Sequence, residues 1–243
     1  MLTFLLDALW IQSLRSADRG GATMTDLWQS RHRTARRSVV MSGVLMALMQ
    51  PVGLGALAQQ DRVSDVIARL SDPDPLRRQR AADWLGRHAG DEALPHLVKA
   101  LQDPSWTVRG AAAEAIGVRA LQSASAAPAL EAAFRQPMPA TGDQRAAAVA
   151  ARATLLVALT NVGTPPAVLI PLATGVLADT KEPPDIHQQA CYALGILGPR
   201  AVSAEGALAA VLKRPGFGGP GPQGEMIRIE CGSTLRILQQ YRR

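Results

Sequence analysis

Aromatic residues are scarce in this sequence. They make up 4% of the 243 residues, whereas the hydrophobic fraction is 47% and consists mostly of Ala, Leu, Val and Ile. The alternation of Val, Thr and Tyr with polar residues that marks β-strands is nowhere sustained. Alanine favours helices and leaves room for a neighbouring backbone. These features argue against a β-sheet and predict an all-α fold.

Residues that carry out chemistry are equally few. The four histidines, at positions 32, 88, 96 and 187, do not have the spacing of metal ligands. No Ser-His-Asp order, paired-carboxylate setting or reactive Cys-His pair stands out. We therefore expect no catalytic residue, no metal and no cofactor, and a protein that is not an enzyme.

The positive charge is not concentrated in one place. The formal net charge is +6, but six arginines and three aspartates precede residue 59, so the remainder carries only +3. Nucleic-acid-binding proteins usually have a clustered basic stripe, often with aromatics that stack on bases. The sequence has neither, so we do not expect a nucleic acid partner.

The amino-terminal region has the pattern of an export signal. A basic stretch at 31–37 precedes the apolar segment Val39–Ala58, which ends in Ala56-Leu57-Ala58. A basic region, an apolar region and a small-x-small ending form a secretory signal peptide. We predict cleavage after Ala58 and a periplasmic or secreted protein. The alternative is an uncleaved inner-membrane anchor, because the segment is about long enough to span a bilayer.

These features divide the chain into three parts. Met24 gives a leader of ordinary length, so residues 1–23 are interpreted as an extension upstream of the true start. Residues 24–58 are the predicted leader, and residues 59–243 are the predicted folded domain. The membrane would be contacted only through an uncleaved leader.

A repeat begins soon after the leader. The stretch Asp72–Gly86 recurs 31 residues later as Asp103–Gly117, with Asp-Pro, Arg, Ala-Ala, an acid, an aliphatic residue and Gly in the same register. Asp can cap a helix whose first turn contains Pro. Gly86 and Gly117 are predicted to end their helices in the left-handed conformation. Each copy is therefore predicted to be a pair of helices.

Looser copies continue to the carboxyl terminus, and we expect about five helix pairs over residues 61–243. The later pairs are predicted at 130–134 with 145–163, at 168–177 with 186–195, and at 207–212 with 226–238.

The repeat resembles the HEAT-repeat family, especially the short repeats of the phycobilin-lyase type. The motif residues that carry the resemblance lie within 63–117. The resemblance implies an α-α superhelix whose second helices line a concave, partner-binding face. We therefore predict an exported scaffold that binds a protein or peptide. The alternative is a lyase-like or lyase-accessory protein that acts on a chromophore-bearing protein.

Two sets of charged residues are candidates for a role. Arg77, Arg80 and Arg87, with Trp84 and Trp106, are the predicted partner contacts, although a solvated helix face and core-filling tryptophans are the alternatives. Arg78, Arg109 and Arg228 share one repeat position with His187. With Asp72 and Asp103 they are predicted to form a structural Asp–Arg ladder, because half-buried charges persist when paired.

Two further features, a pair of cysteines and a glycine-rich stretch, are interpreted without a catalytic or cofactor-binding role. Cys191 and Cys231 occupy neighbouring rather than identical repeat positions, so two buried thiols are expected rather than a disulfide. Residues 216–221 match a dinucleotide fingerprint, but they follow a helix instead of a strand. We interpret them as a flexible insertion that serves as a linker or a binding loop.

Overall fold

The computed structural model describes residues 54–241, with side chains from residue 62 onward except at positions 121 and 223. The predicted extension and nearly all of the predicted leader lie outside the described residues. Contacts divide the chain between Leu57 and Ala58. The helix pairs lie almost entirely in the unit from Ala58 onward.

Within the described residues the chain forms helices joined in five consecutive pairs, so the predicted all-α solenoid of about five helix pairs is confirmed. The pairs are α1 (Leu54–Arg69) with α2 (Pro75–His88), α3 (Leu94–Ala100) with α4 (Trp106–Val118), α5 (Ala127–Phe134) with α6 (Arg145–Asn161), α7 (Pro166–Ala178) with α8 (Pro184–Leu197), and α9 (Glu205–Leu212) with α10 (Gly221–Gln240). Short 3-10 helices lead into α3, α5 and α9.

Local sequence fixes where α2 and α4 begin. The Asp74 carboxylate accepts a hydrogen bond from the backbone N–H of Leu76 at 2.9 Å and caps α2, whose first residue is Pro75. Both loops share a second bond: Asp72 accepts from the backbone N–H of Asp74 at 2.9 Å, and Asp103 accepts from that of Ser105 at 2.8 Å. Only α2 has a side-chain cap, because Ser105 does not cap α4. The Asp-Pro motif therefore turns the chain between the two helices of a pair.

The second helices of the pairs, α2, α4, α6, α8 and α10, pack side by side in chain order. Leu85, Ile116, Leu155 and Leu194 lie on these helices and are fully buried. The first helices supply the other layer of the core, with Leu97, Leu130 and Leu169. Each helix thus buries its apolar face against the other helix of its pair and against the neighbouring pair.

The predicted role of the repeated glycines is wrong. Gly86 and Gly117 lie inside α2 and α4, and neither has a positive φ. A Cβ atom on Gly86 would lie 2.6 Å from the Cα of Ala115. On Gly117 it would lie 3.0 Å from the Cα of Ala158. These glycines are needed because neighbouring second helices approach closely, not because the helices end there.

The same close approach explains a second correction. Cys191 and Cys231 form a disulfide between α8 and α10, with their Cα atoms 5.0 Å apart and both side chains fully buried. This Cα separation lies within the range that a disulfide spans. One turn away, a Cβ on Gly195 would lie 3.0 Å from the hydroxyl of Thr234, so these two helices are also in close contact. The expected pair of thiols is therefore replaced by a covalent bond that closes a 40-residue segment.

One described stretch, Pro184–Leu212, is long and apolar enough to cross a membrane by length and composition. It contains α8, a 3-10 helix and α9. Because α8 packs between α6 and α10, the core of the solenoid accounts for its apolar character.

Replacing Gly86 with Ala tests the packing role of this glycine. The added methyl group meets backbone of α4, so we expect Gly86→Ala to destabilise the protein by about 1–3 kcal/mol. Gly175→Ala is the matched control, because Gly175 is exposed within α7 and nothing lies within 4 Å of its added Cβ. We expect that variant to gain about 0.5–1 kcal/mol from helix propensity. Urea unfolding compares the two, and equal stabilities would contradict the close contact.

Candidate partner-binding surface

One buried ion pair joins the first two helix pairs. The Arg78 guanidinium donates through Nε and Nη2 to the Asp103 carboxylate, at 2.7 and 2.9 Å. Its Nη1 donates to the backbone carbonyl of Asp72 at 2.7 Å. The side chains of Arg78 and Asp103 are 12% and 8% exposed, and the hydrogen bond to Asp103 raises the pKa of Arg78. Asp72 therefore contributes its backbone to this contact, while Asp103 contributes its carboxylate.

The other predicted ladder residues bind neutral groups. Arg109 donates to the backbone carbonyl of Asp103 and to the side-chain oxygen of Gln136. It also lies over the Trp106 ring, 4.3 Å from the centroid, and burial lowers its pKa. His187 Nε2 lies 3.0 Å from the carbonyl of Asp179. These residues fasten each second helix to the loop that precedes it.

Arg228 and the glycine-rich stretch form one packed unit. Arg228 Nη1 donates to the carbonyls of Phe217 and Gly219, at 2.8 and 3.2 Å. The Phe217 ring is buried and its centroid lies 5.5 Å from that of His187. Residues 216–221 are therefore a loop anchored on the core, and their interpretation as a flexible insertion is corrected.

Two structural arginines on α6 could not be recognised from the sequence. Arg145 donates to the carbonyl of Pro139 at 2.9 Å, six residues back, which repeats the spacing of Arg78 to Asp72 and of Arg109 to Asp103. Arg152 pairs with Glu182 at 2.7 Å, with side chains 16% and 9% exposed, and joins α6 to the loop before α8. The third repeat lacks the Asp-Pro motif, so the register that would have revealed these two residues is hidden.

The predicted contact residues divide into exposed and buried ones. Arg80 and Arg87 are exposed on α2, and Arg77 is 68% exposed with the carboxylates of Asp72 and Asp74 at 3.6 and 3.8 Å. Trp84 is half-buried against the core and its ring stacks on His88 at 4.7 Å.

Trp106 is mostly buried, although it also borders the groove across α2, α4 and α6 that is described below. It is 7% exposed and packs against Ala148 and Ala151 of α6. Of the two interpretations of this residue, the core-filling one fits the structure, because its ring occupies the space between α4 and α6.

A groove of about 250 Å³ runs across α2, α4 and α6. We call it the central groove. Small residues, Gly and Ala, leave space along it, and polar side chains also line it. It is lined by Gln79 and Asp83 of α2, by Trp106, Thr107, Gly110, Ala111 and Glu114 of α4, and by Ala147, Ala150, Ala151 and Thr154 of α6.

The charge of the central groove is negative. Its lining contains the carboxylates of Asp83 and Glu114 and no Lys or Arg. Arg87 approaches Asp83, but its Nε donates to the Asp83 backbone carbonyl, not to the carboxylate. Burial raises the pKa of Asp83, and the charge of Arg87 opposes this. Neither carboxylate was predicted to be a site residue, although Asp83 and Glu114 are the acid that recurs in the repeat.

The repeat register places Asp83 and Glu114 side by side. Asp83 precedes Gly86 by three residues, Glu114 precedes Ala115 by one, and Gly86 and Ala115 are in contact. Val157 precedes Ala158 in the same way, and Ala158 contacts Gly117. Asp83, Glu114 and Val157 therefore lie at similar positions along the axes of neighbouring helices. We call these three residues the central row.

Comparison with known proteins supports the repeat assignment. Residues 63–151 match a family model described as HEAT repeats. This segment of the chain is similar to HEAT repeats. The match spans the second half of α1 through the first turns of α6, and so it covers α2, α4 and the start of α6. No curated protein matches the sequence.

Metal-ligating side chains are not gathered at this surface. Across the described residues, no group of three or more His, Cys, Asp or Glu side chains is arranged to hold a metal ion. The central groove thus presents carboxylates, hydroxyls and small apolar groups.

Proposed function

We propose that this protein is an exported, non-enzymatic scaffold that binds a protein or peptide in the central groove. The observation that carries the proposal is the groove itself, an open surface across three HEAT-type second helices with a lining of Gly, Ala, Thr and two carboxylates. HEAT repeats commonly bind proteins, and small residues let a partner's backbone approach closely.

The alternative, a lyase-like role, has one supporting observation, the convergence of Asp83 and Glu114 on the same groove. Paired carboxylates can act as general acid and base. However, the groove is open to solvent and its lining contains no Tyr, His or Cys. An absorption spectrum of the purified protein distinguishes the two functions, because a bound chromophore would favour the lyase-like role.

Export is supported by the disulfide between Cys191 and Cys231. Disulfides persist in oxidising compartments such as the periplasm and are rare in the cytosol. The proposed cleavage point after Ala58 lies inside α1, so a processed chain would begin this helix at Gln59.

A bulky side chain in the central groove tests the binding proposal. A photo-reactive amino acid at Thr107, which is exposed in the groove, is expected to cross-link a partner in living cells. Adding Ala150→Trp should reduce the cross-linked product at least about tenfold, because the indole fills the groove without entering the core.

Ala132→Trp is the matched control, since Ala132 is exposed on α5 and does not line the groove. It should leave the cross-linked product unchanged. A product that persists in Ala150→Trp would place the partner elsewhere.

Export is tested on the protein isolated from cells. We expect the amino-terminal peptide to begin at Gln59, and an alkylating reagent to label Cys191 and Cys231 only after reduction. A chain that retains Met24 and whose thiols are alkylated without reduction would refute export, whatever the groove binds.

A further inference from the structure

We infer that the segment bound in the central groove carries a Lys or Arg side chain that pairs with Asp83 and Glu114, with an apolar residue close by that packs against α6. This inference rests on the proposed function and names the chemistry of the partner. The central row and the charges around it supply the argument.

Asp83 and Glu114 have no ion pair or hydrogen bond through their carboxylates among the contacts described for residues 62–241. Elsewhere on the second helices, half-buried charges are paired: Arg78 with Asp103, and Arg152 with Glu182. A charge at a half-buried site gains most from an opposite charge that is brought by a ligand. Asp83 is such a site, because its side chain is partly removed from solvent.

We expect one cation to reach both carboxylates. Neighbouring packed helices lie about 8–10 Å apart, and Asp83 and Glu114 stand at similar heights on two of them. Their side chains reach outward from adjacent helices toward the same groove. A guanidinium has donors on two sides, and an ammonium has three, so either can bridge two carboxylates.

The surface changes character at the next helix. In the central row, Val157 replaces the acid, and the groove lining on α6 consists of Ala147, Ala150, Ala151 and Thr154. An apolar side chain of the partner is the most favourable one to bury at this position.

The distance between the acidic part of the groove, on α2 and α4, and the apolar part, on α6, determines how far apart the basic and apolar residues of the partner should be. One helix-to-helix step of about 8–10 Å corresponds to about three residues of extended chain. The motif that fits is therefore a basic residue and an apolar residue separated by about three positions. The exposed arginines of α2, Arg80 and Arg87, flank the acidic half and disfavour a partner with a second cation on that side.

Selection from a random dodecapeptide display library tests this inference on the purified protein. Peptides that bind the wild type are expected to be enriched in Lys or Arg with an apolar residue about three positions away. The Asp83→Asn/Glu114→Gln double variant should bind these peptides at least about tenfold more weakly.

Asp143→Asn/Glu225→Gln is the matched control, because it removes the same charge from exposed positions outside the groove. It should bind the selected peptides as the wild type does. Val157→Ser should weaken the apolar preference and retain the basic one.

The other outcomes contradict the inference in separable ways. Selected peptides without basic enrichment, whose binding Ala150→Trp still abolishes, would refute the cationic partner and leave the groove as the binding site. Acidic peptides that lose binding in Arg80→Gln/Arg87→Gln would assign the contact to α2. Failure to select any peptide, or binding that Ala150→Trp does not affect, would refute both the inference and the proposed function.

Discussion

Close contact between neighbouring second helices determines the rest of this structure. Gly86 lies against the backbone of Ala115 and Gly117 against that of Ala158, while Gly195 lies against the side chain of Thr234. A larger side chain at Gly86 or Gly117 would force the helices apart. Because the helices are this close, the Cys191–Cys231 bond can form, and small side chains on α4 and α6 leave room for a groove between the outward-facing residues.

The pairing of charged side chains follows from the same close packing of the helices. The arginines that face the loops between the two helices of a pair are satisfied by Asp103, Glu182 or backbone carbonyls. Removing one partner of such a buried pair is costly, which fixes these residues in structural roles. The carboxylates of Asp83 and Glu114 face outward instead. They are therefore available to a ligand, while the ladder arginines are not.

Much of the fold could be predicted from the sequence, because helix pairs leave a periodic pattern and Asp-Pro marks the loops between their helices. The register of the repeat also indicates that Arg78 and Asp103 are neighbours. The role of Gly86 could not be predicted, since Gly serves both at helix ends and at close contacts. The disulfide could not be predicted either, because it depends on the distance between α8 and α10. The burial of Trp106 depends on which face of α4 packs against α6, and the sequence does not show this. Asp83 and Glu114 were visible as a recurring acid, but only the groove shows what they face.

Amide hydrogen exchange with a groove-selected peptide bound tests the central claim most directly. If the second helices form the binding surface, protection should increase in Thr107–Val118 and Arg145–Asn161 and stay unchanged in the first helices α3 and α5. The increase should disappear in Ala150→Trp. Protection that increases on α3 and α5, with α4 and α6 unaffected, would show that the partner binds the opposite layer and would contradict the account.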